Sequence, residues 1–197
     1  MSGLSRKGLL AAAGASVVAA CGGDDDAERE REARTAADLE IVRYLLEVET
    51  VGTAFWEQVV QRNAVAEVGG AELATSFARN ERTHLETLER YERRLGSGPG
   101  KRPSPNFGEI FAAGPREILR SGAGFANLAA AAYLGQCNRI QDRNLLASVL
   151  AIHTVEGRQA AAVSRRAGEG AGVLPDGAFG EPLSMEQVRS RLERYGA

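Results

Sequence analysis

The chain has 197 residues, of which 24 are lysine or arginine and 26 are aspartate or glutamate, so its formal net charge is −2. This length fits one domain plus a short targeting segment. The balanced charge, with no basic stripe and no interleaving of aromatic and basic residues, argues against a nucleic-acid partner.

Residues 1–20 are predicted to be a signal peptide. Arg6 and Lys7 form a short positive start, and no acidic residue is present in this segment. The stretch 8–20 that follows is apolar and rich in small residues, and it is too short to span a bilayer permanently. We therefore expect the chain to be exported.

The end of this segment, Val18-Ala19-Ala20-Cys21, resembles the lipobox of bacterial lipoproteins. In that family the cysteine is lipidated and becomes the first residue of the mature protein. The resemblance implies lipidation at Cys21, a solvated tether over residues 21–34, and a location on the extracytoplasmic face of the cell membrane. The alternative is an ordinary signal peptide with an incidental cysteine. Cys137 would then have no disulfide partner and is predicted to be a buried free thiol.

Residues 35–197 are predicted to form one helical bundle. Four segments carry apolar residues at helical spacing and are separated by Gly, Pro and Asn: about 35–62, about 72–95, a third beginning at Pro115, and about 143–166. A long connection, 96–114, joins the second helix to the third. A capping box that begins at Ser184 opens a short helix that ends near Tyr195. We therefore predict an all-α fold: a ferritin-type four-helix bundle with a long crossover between helices 2 and 3 and a short C-terminal helix.

Three glutamates interrupt the apolar stripes of these helices. Glu49 lies on the first stripe, which continues to Val60, and Glu156 lies on the fourth. Glu81 and His84 lie together on the second. An isolated buried carboxylate is costly unless it is paired, protonated or bound to a metal ion, so three such groups beside an imidazole indicate a shared cation. Carboxylate oxygens with one imidazole suit iron or manganese.

The spacing of Glu81 and His84 supports this hypothesis, because residues three apart on a helix point to the same side. A similar Glu-x-x sequence begins at Glu156 but ends in Gln159 instead of histidine. One half of a paired metal site is therefore intact and the other half lacks a ligand. The alternative is a bundle whose inward acids are hydrated or paired with arginine.

Several motifs together resemble the ferritin-like proteins that are sometimes called desiccation-related. They are Leu45-Leu46-Glu47-Val48-Glu49 with Phe55-Trp56, Glu81-x-x-His84, Ala132-Tyr133-Leu134-Gly135, Leu174-Pro175-Asp176-Gly177-Ala178-Phe179, and Pro182-Leu183-Ser184-Met185. The resemblance covers about residues 37–195. It implies a di-metal carboxylate centre, with one glutamate from each of the first and third helices and one Glu-x-x-His from each of the second and fourth.

The resemblance also assigns the ligand positions, and four of them are kept: Glu49, Glu81, His84 and Glu156. Two are changed, because Ala126 replaces the third-helix glutamate and Gln159 replaces the fourth-helix histidine. Both losses would affect the same ion, so the other ion keeps its ligands. His153 points away from the changed position and is predicted to be a flank residue. Tyr133 is interpreted as an aromatic packing residue.

We therefore expect a membrane-anchored bundle that binds one iron or manganese ion, in a binding or stress-protective role, and we assign no catalytic residue. The alternative is a metal-free scaffold or interaction module of the cell envelope. An active two-metal oxidase, with Gln159 and water as substitute ligands, is the least favoured hypothesis.

Overall fold

The computed structural model describes residues 23–96, 98–168 and 180–197. The predicted signal peptide, Cys21 and the motif at 174–179 lie outside the described residues. Within the described ranges the chain forms six α-helices and no β-strand. These helices are α1 (Gly23–Gln61), α2 (Ala71–Leu95), α3 (Gly108–Ala112), α4 (Pro115–Leu134), α5 (Arg143–Ala167) and α6 (Met185–Leu192). None of them is both long enough and apolar enough to cross a membrane.

The predicted all-α bundle is confirmed, and three of its four long helices begin close to their expected positions. Pro115 is the first residue of α4, where its missing N–H costs nothing. The Asp142 side chain caps α5 by accepting hydrogen bonds from the backbone N–H groups of Asn144 and Leu145, at 2.7 and 3.0 Å. The capping box at Ser184 is present and begins α6. Local sequence signals therefore define these helix starts.

The first helix differs from the prediction, because α1 begins at Gly23 and not near residue 35. Residues 25–34, which we expected to be a solvated tether before the first helix, are solvent-exposed but helical. Alanine, glutamate and arginine favour helix, and ion pairs one turn apart add to this preference. Arg29 lies 2.8 Å from Asp26, and Arg34 lies 2.6 Å from Glu30. The charged segment therefore continues the helix outside the bundle.

The core lies between two helix pairs. Helix α1 packs against α2 and α4, and α4 packs against α5. An aromatic cluster fills the core beside α1, where the Phe55 ring contacts Trp56 and Phe107 edge to face, at centroid distances of 5.1 and 5.3 Å. A Cβ at Gly122 would lie 2.6 Å from the Trp56 ring, so glycine there permits the close approach of α4 to α1.

The predicted long crossover between α2 and α4 is confirmed, and it contains the short helix α3. It is fastened to α2 by Glu92, which is only 3% exposed. The Glu92 carboxylate accepts hydrogen bonds from Gly100 N–H at 2.7 Å and from the Arg102 guanidinium at 2.5 Å. Burial alone would raise the pKa of Glu92, but the hydrogen bonds from Arg102 and Gly100 lower it below its usual range. The charged carboxylate therefore stabilises the loop.

Two predicted burial states are wrong. Val60, which we placed on the inward stripe, is 40% exposed, because it stands one residue before the end of α1, beyond the packed part of that helix. Cys137 is a free thiol but is half-buried, because it follows the end of α4 at the surface of the bundle. Its Sγ donates to the carbonyl oxygen of Tyr133 at 3.4 Å.

Candidate metal centre

Three helices bring the predicted ligand residues together in the middle of the bundle. Glu49 comes from α1, Glu81 and His84 come from α2, and Glu156 comes from α5. All four side chains are buried, and each offers one ligand atom within 4.8 Å of the others. The amphipathic pattern causes this convergence, since each residue lies on the inward stripe of its own helix.

His84 lies between two of these carboxylates. Its Nδ1 atom is 3.0 Å from Glu156 Oε1 and 3.6 Å from Glu49 Oε2. Neither contact has the direction of a hydrogen bond, and Nδ1 has no other partner among the described residues. A ring nitrogen and carboxylate oxygens that converge without bonding to one another are arranged as metal ligands are.

The hydrogen-bond inventory of the described residues supports the same interpretation. Seven buried side-chain oxygen or nitrogen atoms have no hydrogen-bond partner there, and five of the seven belong to this cluster. They are Glu49 Oε2, Glu81 Oε2, His84 Nδ1 and both carboxylate oxygens of Glu156. Buried polar atoms are nearly always satisfied, so five unsatisfied atoms at one point are consistent with a shared cation.

The other oxygen of two carboxylates is held by a neighbouring side chain. The Tyr133 hydroxyl donates to Glu49 Oε1 at 2.5 Å, and the Gln159 amide donates to Glu81 Oε1 at 2.6 Å. Asn80 in turn donates to the Gln159 carbonyl oxygen at 3.1 Å. One oxygen of each carboxylate is therefore fixed outward, and the other is left free toward the centre of the cluster.

Gly52 makes room for Glu81. It lies on α1, three residues after Glu49, and a Cβ at this position would overlap Glu81 Oε2 and lie 2.6 Å from the Phe125 ring. Glycine in the middle of a helix costs about 0.5–1 kcal/mol relative to alanine. The space it leaves allows the carboxylate of Glu81 to enter the bundle interior.

Electrostatics make the cluster unfavourable without a compensating positive charge. Burial raises the pKa of Glu81 well above its usual range, and the nearby carboxylates of Glu156 and Glu49 raise it further. The pKa of Glu156 is also raised, chiefly by burial and opposed by His84. Burial alone would lower the pKa of His84, but the Glu156 and Glu49 carboxylates raise it. The cluster therefore has to acquire protons or a cation.

The ligand set fits a hard or borderline divalent cation. Three carboxylates and one imidazole face each other, and no thiol is among the clustered side chains. This combination suits manganese or iron better than a thiolate-type zinc site. The residues present therefore fit the kind of ion that the sequence analysis predicts.

The two changed positions and the second histidine differ in their relation to the cluster. Gln159 lies in its wall, bonded to Glu81, while Ala126 is buried and offers no ligand atom. His153 lies outside, as predicted, with Nδ1 2.9 Å from the carbonyl oxygen of Ala130.

Sequence reasoning missed three residues of the site: Gly52 and Tyr133, which contact clustered side chains, and Asn80, which bonds to Gln159. Tyr133 was interpreted only as a packing residue, although its hydroxyl holds Glu49. The available signal was its place on an inward stripe, since a buried tyrosine hydroxyl needs a partner. For Gly52, the signal was a glycine inside a helix that is otherwise apolar on this face.

Fold and site together define an all-α bundle with a buried carboxylate–histidine cluster at its centre. Residues 37–169 match the family described as Ferritin-like domain, and the chain belongs to this family. No curated protein matches the chain.

Proposed function

We propose that this protein binds a single manganese or iron ion through Glu49, Glu81, His84 and Glu156. The observation that carries the proposal is the convergence of five unpartnered donor atoms from these four buried side chains. A bound divalent ion would supply the positive charge that the three buried carboxylates need. The proposed function is metal binding or stress protection and not two-metal oxidation, because Ala126 and Gln159 offer no ligand to a second ion.

The proposal is tested by measuring the metal content of protein produced in medium supplemented with manganese or iron. Elemental analysis should find about one equivalent per chain. Glu81→Ala and His84→Ala should remove it, because each deletes a donor to the ion. Glu86→Ala is the matched control, since Glu86 is an exposed glutamate of the same helix. This variant should keep the metal.

The competing function is a metal-free scaffold of the cell envelope, in which protons satisfy the cluster. The raised pKa values of Glu81 and Glu156 favour this candidate if no metal is supplied. It predicts that purified protein contains no metal and that Glu81→Leu or Glu156→Leu raises the melting temperature, because an apolar group replaces a buried acid. Both results together would refute the metal proposal.

We further propose that the bundle is exported and held on the membrane by a lipid on Cys21, in the manner of bacterial lipoproteins. The resemblance to a lipobox and the positive, apolar segment before it support this location. In a bacterial host the protein should sediment with membranes and dissolve in detergent. Cys21→Ala should abolish lipid attachment, and Cys137→Ala serves as the control that keeps it.

A further inference from the structure

The Gln159 amide occupies the place where a second ion would need a ligand. Its nitrogen donates to Glu81 Oε1 at 2.6 Å, and both side chains are buried. In the paired centre that the resemblance implies, Glu81 and Glu156 are the two carboxylates expected to bridge the ions. In this protein Glu81 Oε1 already accepts a hydrogen bond from the Gln159 amide.

The orientation of this amide follows from its two partners. A carboxylate that binds a metal ion is ionised and only accepts hydrogen bonds, so in the metal-bound protein the group of Gln159 that faces Glu81 has to be its NH₂ end, as it is in the structure. The carbonyl end then faces Asn80, whose amide nitrogen donates to it at 3.1 Å. Asn80 and Gln159 thus form a fixed chain of two amides that ends on Glu81.

This chain has two consequences for a cation. The NH₂ group carries partial positive charge, so it repels an ion near Glu81 Oε1. At the same time it holds the carboxylate so that Oε2, which has no partner, is the oxygen left for the ion. The Tyr133 hydroxyl holds Glu49 in the same way, with Oε2 again left free.

We propose that Gln159, oriented by Asn80, is a positioning residue that limits the centre to one ion. The inference rests on the proposed function and adds a cause to it: the second ion is excluded by a hydrogen-bond donor and not only by missing ligands. Gln159 does not bind the ion itself. It acts through Glu81.

Two substitutions of similar size test this role. Gln159→Glu replaces the donor with a carboxylate, which frees Glu81 Oε1 and adds a ligand. This variant should bind two Mn²⁺ ions per chain, and its electron paramagnetic resonance spectrum should show an exchange-coupled pair. Gln159→Leu removes the donor without adding a ligand. It should bind one Mn²⁺ about 10–100-fold more weakly, the usual effect of losing a group that orients a metal ligand.

The wild-type protein and Gln61→Glu are the controls, since Gln61 is exposed at the end of α1. Both should bind one ion with the spectrum of an isolated Mn²⁺. The role assigned to Gln159 is overturned if Gln159→Glu stays at one ion, or if Gln159→Leu binds Mn²⁺ as tightly as wild type. Wild-type protein that binds no Mn²⁺ overturns the proposed function as well, so the two failures are distinguishable.

Discussion

At the scale of single residues, Glu81 is held on both sides by neighbours that are not proposed as ligands. Gln159 fixes its Oε1, and Gly52 leaves the space that its Oε2 occupies. A metal ligand with one fixed and one free oxygen loses little rotational freedom when it binds. The arrangement of Glu81 therefore depends on a glycine as much as on an amide.

Gly52→Ala should displace Glu81, because the added methyl group overlaps Glu81 Oε2 and the Phe125 ring. We expect the variant to lose most of its bound metal and about 1–3 kcal/mol of unfolding free energy. This exceeds the gain of up to about 1 kcal/mol in helix propensity. Metal analysis and urea unfolding measure the two effects.

Gly157→Ala is the matched control for this prediction. Gly157 is exposed on α5, and a Cβ there meets no atom within 4 Å. The Gly157→Ala variant should gain about 0.5–1 kcal/mol of unfolding free energy through helix propensity and should keep its metal. If the two alanine variants behave alike, Gly52 has no special role beside Glu81.

At the scale of helices, sequence reasoning succeeded where a local signal marks an end. Pro115 and the capping box at Ser184 both begin the helices they predict. It failed for the start of α1, because the charges of residues 25–34 suit a solvated tether as well as an exposed helix. Charge content alone does not separate these two states.

The same reasoning identified the four residues of the buried cluster but not the side chains that hold them. Buried acids at helical spacing are visible in a sequence, since they interrupt an apolar stripe. The contacts of Gln159 with Glu81 and with Asn80 depend on how α5 packs against α2, and one sequence does not reveal that register. From the sequence, Gln159 therefore looked only like a lost ligand, whereas in the structure its side chain is hydrogen-bonded to both Glu81 and Asn80.

The attachment of the crossover to α2 leads to a pH prediction. The pKa of Glu92 is lowered in the folded protein, so the folded state binds fewer protons than the unfolded state near this pKa. The stabilisation from ionised Glu92 is therefore complete above its ordinary pKa of about 4.5 and is lost as the pH falls through the lowered value. In the Glu92→Gln variant, the free energy of unfolding should therefore fall less than in wild type as the pH is lowered. Urea unfolding at a series of acidic pH values measures this difference.

Glu92→Gln should also be less stable than wild type at neutral pH by about 1–3 kcal/mol, because a buried charged hydrogen bond to Arg102 is lost. Glu89→Gln is the control on the same helix, since the Glu89 side chain is 39% exposed and lies 3.8 Å from Arg93. Its effect should stay below about 0.5 kcal/mol. Equal acid sensitivity in the two variants would contradict the role given to Glu92.

At the scale of the whole molecule, metal binding should stabilise the fold, since the ligands come from three helices and meet only in the folded state. At a free Mn²⁺ concentration about 100 times the Kd, the gain is about 2.7 kcal/mol. For a domain of this size, that corresponds to a rise of about 5–10 °C in Tm. Calorimetry with and without a chelator should show this difference.

His84→Ala provides the comparison for that experiment. It lacks a ligand, so its Tm should not respond to the chelator or to added Mn²⁺. A chelator effect of the same size in wild type and His84→Ala would mean that the ion acts elsewhere on the protein.

The exposed start of α1 has a mechanical consequence. Residues 23–34 extend about 18 Å beyond the first buried turn, and the same unbroken helix carries Glu49. A straight helix transmits axial rotation and tilt along its length without a hinge. A force or contact on the projecting end is therefore transmitted along α1 to Glu49. The exposed segment couples its surroundings to the buried cluster as well as separating the bundle from them.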